Sequence, residues 1–137
     1  MEETLTILKP DTVSAGQTGA VIAMIEAAGL KVRSIKMLHL SKEEAEGFYA
    51  VHRERPFFSS LVTFMTEGAV VVMVLEAEDA VARLRKLMGA TDPANAEDGT
   101  IRKKFATNIE RNSIHGSDAP ETASIEISYF FGRLEIV

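Results

Sequence analysis

Ala69-Val70-Val71-Val72-Met73-Val74-Leu75 is an unbroken, uncharged apolar run in which four of seven residues are β-branched. A half-exposed strand would alternate, so a continuous run of this length reads as a central strand buried on both faces. It is far too short to span a bilayer. Upstream, Leu61, Val62, Phe64 and Met65 mark a short helix. Ser41-Lys42-Glu43-Glu44 is a capping box that opens a helix through Ala45, Phe48 and Tyr49. Lys31–Leu40 reads as a strand, and Gly29 as the C-cap of a helix from about Thr18 to Ala28, striped by Val21, Ile22, Ile25 and Ala28. Thr4–Leu8 alternates as a first strand, stopped at Lys9-Pro10-Asp11 because Pro10 cannot donate to a ladder.

Downstream of the run, Ala80, Val81, Leu84, Leu87 and Met88 form an amphipathic helix. From Gly89 to about Ile109 the periodicity fades, and Asp92-Pro93 and Asp98-Gly99 are turn signals. A loop of some 20 residues in a compact domain is usually functional. A short strand near Ser113–His115 runs into a last helix from Ala119 to about Ser128. This order predicts an α+β chain, a ferredoxin-like split β-α-β antiparallel sheet with additional helices. Met24, Met37, Met65, Met73 and Met88 fall in apolar stripes and read as core.

With 137 residues the chain is expected to form a single domain over 1–137 that needs no staple. It has no cysteine, which excludes disulfides and thiolate metal sites, and its three histidines, 39, 52 and 115, are far apart. The start Met1-Glu2-Glu3-Thr4 lacks a signal-peptide pattern, so a cytoplasmic protein without a membrane anchor is the expectation. A net charge of −5 argues against nucleic-acid binding, although basic residues focused in one cleft still allow a phosphate site.

The residues that could carry chemistry centre on Asn112-Ser113-Ile114-His115-Gly116-Ser117-Asp118. Gly116 bends freely, and Ser117 or Asp118 is positioned to cap the helix that Pro120 and Glu121 open. A histidine at such a turn can be held with one ring nitrogen exposed, as a nucleophile requires. Taken alone, His115 reads equally as a satisfied structural histidine. Arg85, Arg102, Lys103, Lys104 and Arg111 surround the aperiodic region, which also holds Thr91. Arginine forks match phosphate oxygens, but a solvated basic face accounts for single members, Lys103 and Lys104 first. Lys9 and Asp11 could be a surface pair or groups presented to a cleft. Of Phe57 and Phe58, one reads as core and the other as a platform for a flat ring. Gly16-Gln17-Thr18-Gly19 lacks the spacing and ending of a Walker loop, and the protein-kinase signature set is absent.

Taken together, these segments resemble the nucleoside diphosphate kinase family. The likeness runs from Thr4-Leu5-Thr6-Ile7-Leu8-Lys9-Pro10-Asp11 through Phe48-Tyr49, Arg55-Pro56-Phe57-Phe58 and Met88-Gly89-Ala90-Thr91-Asp92-Pro93. It continues through Gly99-Thr100-Ile101-Arg102 and the His115 segment to Glu126. The resemblance implies ping-pong transfer of a γ-phosphate from a nucleoside triphosphate to a nucleoside diphosphate through a phosphohistidine at His115. It implies that Glu126 fixes the imidazole tautomer, that Ser117 bonds Glu126, and that Tyr49 orders Lys9 and the histidine. Arg85, Thr91 and Arg102 would hold phosphates, and Lys9 would stabilise the transferred group. Lys9 and Asn112 would reach the sugar hydroxyl, Phe57 would stack on the base, and Leu61 and Ile109 would line it. Magnesium (Mg2+) would arrive on the nucleotide, with no protein ligand set of its own. The chain departs from the family where Ala119 and Ala69 replace the usual Ser and Pro. Its short tail beyond Phe131 points to a homo-oligomer, a tetramer ahead of a hexamer. A non-catalytic ligand module on the same fold would leave the joint presence of His115, Glu126, Arg85 and Arg102 unexplained. An RNA-binding sheet would want aromatics on Val70–Leu75, which has none. A relative that had lost activity would be expected to lack the histidine.

Overall fold

The computed structural model describes residues 1–137. The apolar run is the backbone of the fold: strand β3 covers Val70–Ala77, and Val70 to Leu75 are all buried. Its alternate side chains enter two different cores. Val70, Val72 and Val74 join Leu5, Ile7, Val62, Phe64 and Ile127 on one face, whereas Val71, Met73 and Leu75 join Leu8, Ile25, Leu84 and Ile101 on the other. Period-two geometry thus sends one uniform run into both cores, because helices cover each face of the sheet.

The sheet has four strands in the order β2-β3-β1-β4, all pairs antiparallel: β1 is Glu2–Leu8, β2 Lys31–Leu38 and β4 Ile114–Gly116. Strands β1 and β2 are separated by β3, which is the split β-α-β arrangement expected. Helix α1 (Pro10–Ser14) follows β1 directly, with Pro10 in its first turn, so the residue that ends the strand also starts a helix that the sequence reading omitted. Helix α2 (Thr18–Ala27) ends in a Schellman motif: Gly29, at φ +83°, donates to Glu26, and Leu30 N donates to Ile25 O at 3.3 Å. Helix α3 (Lys42–Phe48) carries the capping box, with Ser41 Oγ accepting from Glu44 N and Glu44 Oε1 from Ser41 N. Helices α4 (Phe58–Met65) and α5 (Ala80–Met88) fall where the apolar stripes place them. No helix is long and apolar enough to cross a membrane.

Three expectations need correction. The stretch 89–109 is not a bare loop: it holds a 3-10 turn at Pro93–Asn95 and helix α6 (Ile101–Phe105), whose cap Thr100 accepts from Lys103 N. Helix α7 (Pro120–Phe130) has Ala119 as its N-cap with no side-chain bond, so neither Ser117 nor Asp118 caps it. Met37 is 61% exposed and Met24 only half-buried, because β2 is an edge strand and α2 an outer helix.

Candidate active site around His115

His115 stands on β4, opposite Ile7 of β1 in the ladder, and Thr6 Oγ1 donates to its carbonyl at 2.7 Å. The backbone before it is held in a constrained shape. Ser113 has φ +72°, unusual for a residue with a side chain. Its N–H donates to Asp11 Oδ2 at 3.0 Å, and its carbonyl accepts from Lys9 N at 2.9 Å and Thr12 Oγ1 at 3.0 Å. Asp11 therefore anchors the histidine strand and does not pair with Lys9. The sequence offered no signal for this role, because its partner is 102 positions away. Gly116 follows where space is absent: a Cβ there would lie 2.5 Å from Met88 Sδ and 3.0 Å from Leu84 Cδ2.

The imidazole is oriented from one side by a carboxylate. His115 Nε2 lies 2.9 Å from Glu126 Oε1, and the same oxygen accepts from Ser117 Oγ at 2.7 Å. A carboxylate only accepts, so the ring proton sits on Nε2 and the Nδ1 lone pair is left for chemistry. Burial alone would raise the pKa of Glu126, but the bond and charge of His115 and the bond from Ser117 hold it below the ordinary carboxylate value. Phe48 packs edge-on to the imidazole at 5.3 Å between centroids, and Tyr49 does so at 6.4 Å. Phe48 is a site neighbour that its adjacency to Tyr49 alone pointed to. The Tyr49 phenol has no hydrogen-bond partner, and burial, helped by Glu126, pushes its pKa up. It touches the histidine as a ring and does not bond Lys9.

Beside the histidine strand lies a cleft of about 320 Å³ lined by Lys9, Phe57, Leu61, Thr91, Ile109 and Glu110. Phe57 and Ile109 are 46% and 63% exposed, two large apolar groups left open to solvent on its walls. Phe58, by contrast, packs against the core. Lys9 is buried and donates to Asn112 Oδ1 at 2.8 Å, while Asn112 Nδ2 donates to Ile109 O at 3.0 Å. Burial, then the charge of Arg102, pull the Lys9 ammonium down to about 8, against the raising pull of Asp11 and Glu110.

Arg102 is buried too, and donates to the carbonyls of Asn112 at 3.3 Å, Gly89 at 3.0 Å and Ile114 at 2.8 Å. Its guanidinium ties α6 to the histidine strand, a structural duty the sequence reading missed. Burial, then the charge of Arg85, lower its pKa to about 10, where it stays cationic near neutrality. Arg85 Nη1 donates to Gly116 O at 3.2 Å and Asp118 Oδ1 at 3.0 Å. Arg102 thus disfavours the charge on Lys9, and Arg85 the charge on Arg102, as cations gathered for an anion would. Arg85 and Arg102 are outside the lining of the Phe57 cleft; Arg102 donates to the carbonyl of Asn112, whose side chain holds the cleft's Lys9, and Arg85 donates to the carbonyl of Gly116, next to His115. A wider groove of about 440 Å³, between Glu2, Glu3 and α7, holds neither His115 nor any of the three cations. No three His, Asp or Glu side chains converge as a metal cage.

The family model described as nucleoside diphosphate kinase matches residues 2–136. A nucleoside diphosphate kinase of Nitratidesulfovibrio vulgaris (strain DP4) is 64% identical over 137 residues, covering 100% of this chain and 99% of the relative. One of Desulfosudis oleivorans is 61% identical with the same coverage. The crystal structure of the Aquifex aeolicus nucleoside diphosphate kinase superposes with a TM-score of 0.98 at 45% identity, covering 99% of each chain. A halophilic nucleoside diphosphate kinase from Halobacterium salinarum in complex with CDP superposes at 0.95 with 40% identity, covering 99% of this chain and 91% of that one. A match over nearly the whole length, in sequence and in fold, means that this chain belongs to the nucleoside diphosphate kinase family.

Proposed function

We propose that His115 Nδ1 is the atom that carries phosphate in this chain. The enzyme is a nucleoside diphosphate kinase, and the family's activity is a ping-pong transfer through a phosphohistidine. The observation that carries the assignment is the Glu126 Oε1–His115 Nε2 contact of 2.9 Å, which leaves Nδ1 as the nucleophilic nitrogen. In the first half-reaction the Nδ1 lone pair forms a bond to the γ-phosphorus. The bond to the β–γ bridging oxygen breaks, and the nucleoside diphosphate leaves with those electrons. Positive charge develops on the ring, and Glu126, steadied by Ser117, stabilises it. In the second half-reaction a β-phosphate oxygen of another nucleoside diphosphate attacks the phosphorus, and the nitrogen recovers its lone pair.

The cleft supports a division of labour. Phe57 stacks on the base, with Leu61 and Ile109 as its other apolar contacts, which suits any base because each has a π-face. Asn112 and Lys9 meet the sugar, and Lys9, Arg85, Arg102 and Thr91 meet the phosphates. Tyr49 and Phe48 keep the imidazole from tilting. Enzymes of this family typically use magnesium, and here the proposal is that the ion arrives with the nucleotide. The donors around the cleft are mostly cations and neutral groups, and its one lining carboxylate, Glu110, already accepts from Ser60. Magnesium brought by the nucleotide would supply positive charge to offset that of the phosphates, beside Lys9, Arg85 and Arg102.

The proposal also takes 1–137 as one domain, acting in the cytoplasm as a homo-oligomer, with a tetramer favoured. Ile35 and Met37, 51% and 61% exposed on the edge strand β2, support self-association. Light scattering is expected to give about four times the 15.0 kDa chain mass. The catalytic proposal is tested by mixing the protein with magnesium and γ-labelled ATP without acceptor. An acid-labile, base-stable label on the protein that a GDP chase converts to labelled GTP supports it. A folded protein that takes no label rejects it.

A further inference from the structure

The two walls of the Phe57 cleft come from separate parts of the chain. Phe57 and Leu61 belong to α4 and its cap, and Ile109 to the turn 107–111 that precedes Asn112. That turn closes on itself: Asn108 Oδ1 accepts from the N–H groups of Glu110 and Arg111 at 3.0 and 2.9 Å, and Thr107 N donates to Arg111 O at 2.9 Å. It is a preformed arm, and two side-chain links fasten it to α4. Ser60 Oγ donates to Glu110 Oε2 at 2.7 Å, one residue from Leu61. Arg111 forms a two-pronged pair with Glu67, just past the far end of α4, at 3.0 and 2.8 Å. Its guanidinium also lies over the Phe64 ring, 4.8 Å from the centroid.

We propose that the Glu67–Arg111 pair, helped by Ser60–Glu110, is a strap that sets the gap of the nucleotide cleft, making these four positioning residues for nucleotide binding. Two links at opposite ends of one helix, reaching adjacent residues of one turn, fix the distance between walls and also the tilt of the arm. The arm bears Ile109 on one wall and leads directly into Asn112, the partner of Lys9. The Arg111 and Glu67 side chains are 40% and 44% exposed, so the pair adds little to global stability. Its consequence is local, in the population of the binding-ready gap. None of the four touches His115, so the strap governs binding and not the transfer step.

This inference rests on the cleft being the nucleotide site, and the test separates the two. Glu67→Arg, Arg111→Glu, the double charge swap and Ser60→Ala are compared with the unmodified chain. Affinity for a nucleoside diphosphate is read by calorimetry, together with kcat, KM and the melting temperature. Each single reversal is expected to weaken binding about five-fold, the upper end for an exposed, two-pronged pair, with kcat at saturation and the melting temperature little changed. The double swap is expected to restore affinity to within about two-fold, and Ser60→Ala to weaken binding by less than the reversals. Unmodified affinity in both reversals overturns the strap, and so does a double swap that stays weak. If the unmodified chain itself takes no phosphate from labelled ATP and binds no nucleoside diphosphate, the site reading fails and the strap with it.

Discussion

Raising the pH from 7 to 9 is expected to weaken nucleoside diphosphate binding through Lys9. Its ammonium is buried, 7% exposed, and its pKa of about 8 lies below the ordinary 10.5 because burial and then Arg102 disfavour the charge. At pH 7 roughly nine in ten molecules carry the charge, and at pH 9 roughly one in ten. A polyphosphate placed beside the ammonium favours the charged form and raises that pKa in the complex. Binding therefore takes up a proton at pH values above about 8. Affinity is full below 8 and lost as pH rises through it, by about ten-fold at pH 9 from this group alone. The assay is calorimetric titration with a nucleoside diphosphate at pH 7, 8 and 9, in two buffers of different ionisation enthalpy. Lys9→Arg keeps its charge and is expected to flatten the profile. A constant affinity from pH 7 to 9 with no proton uptake would refute the reasoning about Lys9.

Other perturbations reach different parts of the site. Glu126→Gln keeps an acceptor for His115 Nε2 but removes the charge; phosphoenzyme formation in a single turnover is expected to slow about ten-fold with little change in KM, and an unchanged rate would show the charge to be idle. Phe57→Ala is expected to raise KM about ten-fold for every base alike, and a loss confined to one base contradicts stacking. Gly116→Ala drives a methyl into Met88 and Leu84, at an expected cost of about 1–3 kcal/mol in denaturant unfolding; full stability would mean that these side chains can move aside.

What could be read from sequence follows how local each interaction is. Val70–Leu75 was legible because burial on both faces leaves no alternation to obscure it. The Ser41–Glu44 box was legible because both partners lie within one turn. Helix α6, five residues long, is too short to display a 3.6-residue period, and its two buried residues, Ile101 and Arg102, are one apolar and one charged, so apolar spacing could not reveal it. The cap at Ser117 or Asp118 failed for a related reason: Ser117 is drawn to Glu126 and Asp118 to Arg85, and a local propensity yields to stronger distant partners. The sequence left Lys9 and Asp11 as either a surface pair or groups presented to a cleft, and the fold sends one to Asn112 and the other to Ser113. The resemblance named the residues around His115 and the cleft; it could not say that Arg102 also braces three carbonyls or that Tyr49 meets the histidine edge-on.

The most direct test of the central claim is to locate the phosphate on the trapped phosphoenzyme. The protein is charged with ATP and magnesium, freed of nucleotide at alkaline pH, and studied by phosphorus–proton NMR and by mass spectrometry of its peptides, with His115→Ala as control. The account predicts one phosphate per chain, on Nδ1 of His115, absent from the folded His115→Ala variant. Phosphate on Nε2, on another residue, or at full level in His115→Ala would contradict it.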